Sequence, residues 1–211
     1  MKNYETSRPQ DYQRVLVINA KDKRTAILFN LLGLVIMAVV LFLFALPLLI
    51  SRVTAKQLFD LRSPSDIWII YGVFLLSFVA YIILHELVHG AAYKKLTGQK
   101  LTYGISLTCA FCGVPNIYVY RKTAIIAVAA PLTVFSLILL PLTVALYFVH
   151  PLYYLASALL LASHLSGCIG DIFVLFILLK DLKDPRTLVR DTGPLQAFYI
   201  PAQETDSTPQ A

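Results

Sequence analysis

The chain has 211 residues, of which 58% are apolar and only 14% charged, and its mean hydropathy is +0.71. An ordinary water-soluble domain carries about 25% charged residues, so composition excludes that class. The net charge of +6 comes with no nucleic-acid-binding motif, which leaves the placement of the basic residues around the apolar blocks as its explanation.

Residues 1–25 are polar and include Glu5, Asp11 and Asp22. They read as a cytosolic N-terminal segment, with no cleavable signal peptide, because the apolar block that follows outruns a signal-peptide core. That block, 26–50, holds Asn30 as its one strongly polar residue; three more follow at 67–93, 123–149 and 152–179. A helix crosses the hydrocarbon in about 20 residues, a barrel strand in about 10, and lipid tolerates only structures that satisfy their own backbone. The expected fold class is therefore all-α: a bundle of four transmembrane helices, with a small β-hairpin-like loop between the second and third. The expected organisation is 1–25 as N-terminal segment, 26–180 as the membrane domain, and 181–211 as a C-terminal tail.

Basic residues orient the bundle. Six of the Lys and Arg precede the first block, five lie between the second and third, and four follow the fourth. Only Arg52, Lys56 and Arg62 lie between the first and second, and none between the third and fourth. The positive-inside rule then makes this a multi-pass cell-membrane protein with both termini and the middle loop in the cytosol.

The second block ends in His85-Glu86-Leu87-Val88-His89-Gly90. Helical residues four apart share one face, so His85 and His89 can both offer a ring nitrogen to one Zn²⁺ at about 2.0–2.1 Å. Glu86, rotated off that face, can reach a water on the metal without ligating it, the geometry of a general base in metal-assisted hydrolysis. Ionisable residues inside a membrane are costly and persist mainly for function.

The middle loop alternates Leu101, Tyr103, Ile105 and Leu107 with Thr102, Gly104, Ser106 and Thr108. Ile117 and Val119 then alternate with Tyr118 and Tyr120, and Gly113-Val114-Pro115-Asn116 lies between. This predicts two strands around a turn, either plain structure or an edge on which an extended substrate pairs. Cys109 and Cys112, with Cys168 the only cysteines, read as packing residues rather than half a zinc site or a redox pair, since no second pair completes one.

A catalytic zinc takes a third protein ligand and keeps one position open. Of the 12 acidic residues, only Glu86 and Asp171 fall inside apolar blocks. Asp171 precedes Lys180 by as many residues as His85 precedes Lys94, roughly 13 Å of helix, so the depths match and Asp171 can complete the site. Around it Ser163, Gly167 and Gly170 form a small-residue stripe that permits close helix approach. His164 lies on the same face, as a rival ligand, a hydrogen-bonding partner of a ligand, or a packing residue. His150, before Pro151, reads as a loop residue. The segment after Arg190 is rich in Pro, Gln, Thr and Ser, a composition that predicts disorder.

These motifs, with Ala129-Ala130-Pro131 and Gly170-Asp171, resemble a bacterial family of integral-membrane zincin peptidases and, more distantly, the site-2 type of intramembrane metalloprotease. The resemblance covers roughly residues 81–173. It implies one zinc per chain held by His85, His89 and Asp171, Glu86 as base, and membrane-protein or peptide substrates cut at or within the lipid bilayer. The chain departs from the site-2 pattern: it has no PDZ-like insert, and Gly170 precedes the aspartate while Ile172 follows it. Two other readings stand beside this one. The buried His, Glu and Asp side chains could move protons or ions, or the chain could be a catalytically silent zinc-binding scaffold. The repeats and broken helices usual in transporters are not evident.

Overall fold

The computed structural model describes residues 2–58, 66–106 and 109–202. Strands β1 (Tyr4–Glu5) and β2 (Tyr12–Asn19) precede helix α1 (Lys23–Ile50), a short α2 (Ala55–Leu58) and α3 (Asp66–Thr97). Strands β3 (Thr102–Ile105), β4 (Ala110–Gly113) and β5 (Tyr118–Tyr120) lead into α4 (Arg121–Tyr147), α5 (Pro151–Gly167) and α6 (Ile169–Phe176). A π-helical turn (Ile177–Asp181) and strands β6 (Leu188–Asp191) and β7 (Leu195–Pro201) are the last elements among the described residues.

Among the described residues three helices, α1, α3 and α4, are long and apolar enough to cross a membrane, or up to four spans if the bent pair of α5 and the helix after it counts as one. Their outward faces carry Phe42, Leu76 and Leu137, each more than 60% exposed, an apolar surface that water would not tolerate at this extent. Asp22 caps α1 by accepting from the Arg24 and Thr25 amides, both at 3.1 Å. His150 does more than sit in a loop: its ring accepts from the Leu152 amide at 3.1 Å, and Pro151 follows in the first helical turn, where a missing N–H costs nothing.

The expectation of an all-α fold is corrected by a five-stranded antiparallel sheet in the order β1-β5-β6-β7-β2. The sheet draws on three distant parts of the chain. Val119 pairs with Val189, Val189 with Phe198, and Phe198 with Leu16. Val119, Val189 and Phe198 are almost fully buried and pack with Tyr93, Ala124, Ala127 and Leu178, so one face of the sheet seats on the ends of α3, α4 and the π-helical turn. Arg121 fastens this junction, its Nε donating to the Leu178 and Leu182 carbonyls at 2.8 Å each. The segment after Arg190, expected to be disordered, instead supplies β7 and its turn as far as Ala202; its last residues, 203–211, lie outside the described ones.

The middle loop also differs from expectation. The hairpin pairs β3 with β4, Tyr103 opposite Cys112, and the Ser106 amide reaches the Cys109 carbonyl at 2.8 Å across its turn. Leu107 and Thr108 lie outside the described residues. β5, expected as the hairpin's second strand, joins the large sheet because its buried Val119 finds partners on β1 and β6. The fourth apolar block is likewise not one helix: it bends by 42° between α5 and α6, at Cys168, three residues before Asp171.

Candidate metal centre

His85 and His89 project from one face of α3, as the four-residue spacing requires. Their rings lie 5.0 Å apart, centroid to centroid, and both are buried. Asp171, in the first turn of α6, faces them: its Oδ2 lies 3.3 Å from His85 Nε2 and its Oδ1 3.3 Å from His89 Nε2. One ligand atom from each of the three falls within 4.8 Å of the others. Gly90, next in the chain, lets the hairpin close over α3, because a Cβ there would collide with the Tyr103 hydroxyl and crowd Leu101.

The hydrogen bonds around the cluster favour a cation in it. The Nδ1–H of His89 donates to the Ala127 carbonyl at 2.9 Å. A carbonyl can only accept, so the neutral ring keeps its lone pair on Nε2, which points at a carboxylate oxygen. Two bases facing each other at 3.3 Å are stable only with a positive charge between them, a metal ion or a proton. Glu86 lines the same cavity, of about 440 Å³, and its Oε2 is buried with no hydrogen-bond partner among the described residues. An unpaired buried carboxylate oxygen is expensive, and a polar group in the cavity would satisfy it. Two imidazoles, one carboxylate and a free carboxylate beside them fit the donor set of a catalytic zinc.

A second grouping, His85, His164 and Cys168, also lies within 4.8 Å. The Tyr81 hydroxyl sits in it, 3.0 Å from His85 Nδ1 and 3.0 Å from His164 Nδ1. His164 is fully buried; it shares this hydroxyl with His85, and its Nδ1 also lies 3.6 Å from the Cys168 thiol. Cys109 and Cys112 join no ligand grouping among the described residues. Burial pushes the Cys112 thiol up to about 12, so it stays protonated and non-nucleophilic at neutral pH.

Sequence reasoning missed Tyr81, the Ala127 carbonyl and Asp191. Tyr81 lies one helical turn before His85, so its spacing was a signal; a backbone carbonyl leaves none. Asp191 is buried beneath the β6–β7 turn, accepting from the Tyr93 hydroxyl at 2.7 Å, the Gly193 amide at 2.8 Å and Gln196 at 3.2 Å. It ties the turn, where Gly193 holds φ +96°, to α3 one turn beyond His89.

Burial raises the Asp191 carboxyl to about 6 from an ordinary 3.8. The folded protein therefore holds this proton where the unfolded chain has lost it. The stability it contributes is full below pH 3.8 and disappears as pH rises to about 6. At about 1.4 kcal/mol per pH unit between the two values, the change is about 3 kcal/mol. Thermal unfolding in detergent should fall more steeply between pH 4 and pH 7 for the wild type than for Asp191→Asn; parallel profiles would show that Asp191 does not titrate in this window.

A helical, membrane-type chain carrying a His-Glu-x-x-His helix and a facing aspartate falls in the class of zincin-like metallopeptidases. Residues 78–185, just over half of the chain, match the family described as "Putative zincin peptidase", and the protein belongs to that family. The matched stretch contains His85, Glu86, His89, His164 and Asp171, while β1, β2, β6 and β7 lie outside it. No curated protein and no solved structure matches the chain. Membership points to zinc-dependent peptide hydrolysis.

Proposed function

We propose that the protein is an intramembrane zinc endopeptidase that cuts a peptide bond of a membrane-protein substrate near the cytosolic side of the bilayer. The observation that carries this reading is the convergence of His85, His89 and Asp171 on one point, with an unpartnered Glu86 oxygen in the same cavity. His85 Nε2, His89 Nε2 and an Asp171 oxygen would hold the ion. Zinc there would supply Lewis acidity, and a water nucleophile available at about pH 7. Glu86 takes the proton of the attacking water on its free carboxylate oxygen and delivers it to the departing amine nitrogen. β4 lines the cavity through Ala110, Phe111 and Cys112, and in its two-stranded sheet one edge is not paired to a strand. A substrate strand laid along that edge would be held extended beside the ion.

Glu86 weighs against a silent scaffold, since a purely structural site has no use for it. Co-reconstitution with a fluorescent transmembrane reporter peptide tests the activity. Cleavage should stop with a chelator and return with Zn²⁺; chelator-resistant cleavage, or none by the zinc-loaded protein, would defeat the proposal.

The orientation proposed has the sheet, both termini and the middle loop in the cytosol. The split of basic residues supports it. The sheet supports a shared side but not which one, because strands from before α1, from the middle loop and from after α6 can pair only on one side of a membrane. That requires an even number of crossings between them and favours four spans, with the bent α5–α6 pair as the last. In a background with the three native cysteines replaced by Ala, an impermeant thiol reagent on intact cells should label Arg52→Cys and spare Lys100→Cys. Labelling of Lys100→Cys alone would invert the topology.

A further inference from the structure

A file of polar groups runs through the apolar bundle away from the cluster. His85 Nδ1 lies 3.0 Å from the Tyr81 hydroxyl, that hydroxyl 3.0 Å from His164 Nδ1, and His164 Nε2 3.1 Å from Ser136 Oγ. The Cys168 thiol also lies 3.6 Å from His164 Nδ1. Tyr81 is 7% exposed and His164 0%, and polar groups buried among apolar helices destabilise unless fully paired.

Counting protons gives the file a direction. A neutral imidazole has one donor and one acceptor, and a phenol donates once. If His85 presents its Nε2 lone pair towards Asp171, its proton sits on Nδ1 and is donated to the Tyr81 oxygen. The Tyr81 proton then has His164 Nδ1 as its acceptor. The His164 proton is left on Nε2, facing Ser136 Oγ. In this direction both ring nitrogens of His164, His85 Nδ1 and the Tyr81 hydroxyl each have a complementary partner, and the Cys168 thiol can only add a weak second donor to His164 Nδ1. The opposite direction would put a proton on His85 Nε2, where the ion is to bind. His89 needs no such file, because the Ala127 carbonyl fixes its tautomer directly. A hydroxyl accepts or donates equally well, so Tyr81 alone would not choose for His85.

We infer that Tyr81 and His164 are positioning residues that lock His85 in the Nδ1–H tautomer and thereby hold its Nε2 ready for the metal. The inference rests on the zinc reading above. It also explains why His164 is buried beside the cluster without contributing a ligand to it: Tyr81 occupies the space between the two rings, held edge-on against Phe135 at 5.1 Å.

The test is a zinc titration of the full chain in detergent against a chromogenic chelator, for the wild type, Tyr81→Phe and His164→Phe. Cobalt absorption spectra and ¹⁵N-histidine NMR of the metal-free proteins accompany it. Tyr81→Phe removes one oxygen and keeps the ring packing. It should bind one equivalent about 10- to 100-fold more weakly, the usual cost of losing a group that orients a ligand. It should also change the cobalt spectrum and show His85 as a mixture of tautomers where the wild type shows one. His164→Phe, which contacts none of the three ligands, should act in the same direction, and carries the test if Tyr81→Phe does not fold. Wild-type affinity, spectrum and tautomer in the folded variants would overturn the inference. So would a second zinc equivalent in the wild type that Cys168→Ala abolishes, since the grouping would then be a metal site of its own. A wild type that binds no zinc would instead sink the metal reading, a result independent of Tyr81.

Discussion

Glu86→Gln should bind zinc as tightly as the wild type and lose about 100- to 10,000-fold in peptide cleavage, the range that a positioned acid–base group supplies. The substitution keeps the shape and burial of the side chain but removes the carboxylate that takes up the water's proton. Its neighbours His85 and His89 keep their nitrogens, and the Ala127 carbonyl still orients His89, so the ligand set is undisturbed. A neutral amide costs less than a carboxylate in the buried position that Glu86 Oε2 occupies without a partner among the described residues, and the variant should be at least as stable as the parent. Loss of zinc together with activity would mean that Glu86 holds the ion; undiminished cleavage would remove it from the chemistry.

Asp171→Ala should weaken zinc binding by more than about 100-fold, beyond the upper end of the loss expected for a group that merely orients a ligand. Among the described residues Asp171 is the acidic side chain that pairs with both histidine Nε2 atoms, at 3.3 Å from each, and two imidazoles alone make an incomplete site. His85→Ala and His89→Ala should behave alike. Asp171→Asn is the sharper variant, since it retains size and one oxygen but loses the charge that offsets the ion. Elemental analysis of purified protein reads the result, and a full equivalent of zinc in Asp171→Ala would exclude the aspartate as a ligand.

The residues of the cluster could be read from sequence because each left a local or a compositional trace. The two histidines of α3 are four apart, which fixes their shared face whatever surrounds them. Asp171 stood out because a membrane block tolerates so few acids that elimination nearly suffices. The sheet left a weaker trace. β1, β5 and β6 have two to four residues each, too short for alternation to declare itself, and their stability depends on pairing between distant segments, as in Tyr4 with Val119 and Val119 with Val189. The run Val15-Leu16-Val17-Ile18 and the cluster Phe198-Tyr199-Ile200 carried strand propensity, but the polar residues around them masked it. The break at Cys168 was hidden for a related reason: the fourth block stays apolar through the bend, so hydropathy reads it as continuous.

Asp191 shows the reverse limitation. Counted by sequence, it belonged among the acids outside the apolar blocks. Its burial beside Tyr93 follows from β6 and β7 folding over the end of α3, which only the assembled sheet reveals. The same holds for His164: its helical face was legible, but its link to His85 depends on Tyr81 from another helix.

The central claim is that one zinc sits between His85, His89 and Asp171. X-ray absorption at the zinc edge of the purified chain tests it most directly, because the two groupings that share His85 differ in whether they include sulfur. The account predicts one zinc per chain with nitrogen and oxygen neighbours at about 2.0–2.2 Å and no sulfur. A sulfur neighbour at about 2.3 Å, lost on Cys168→Ala, would place the ion with His164 and Cys168 and contradict it.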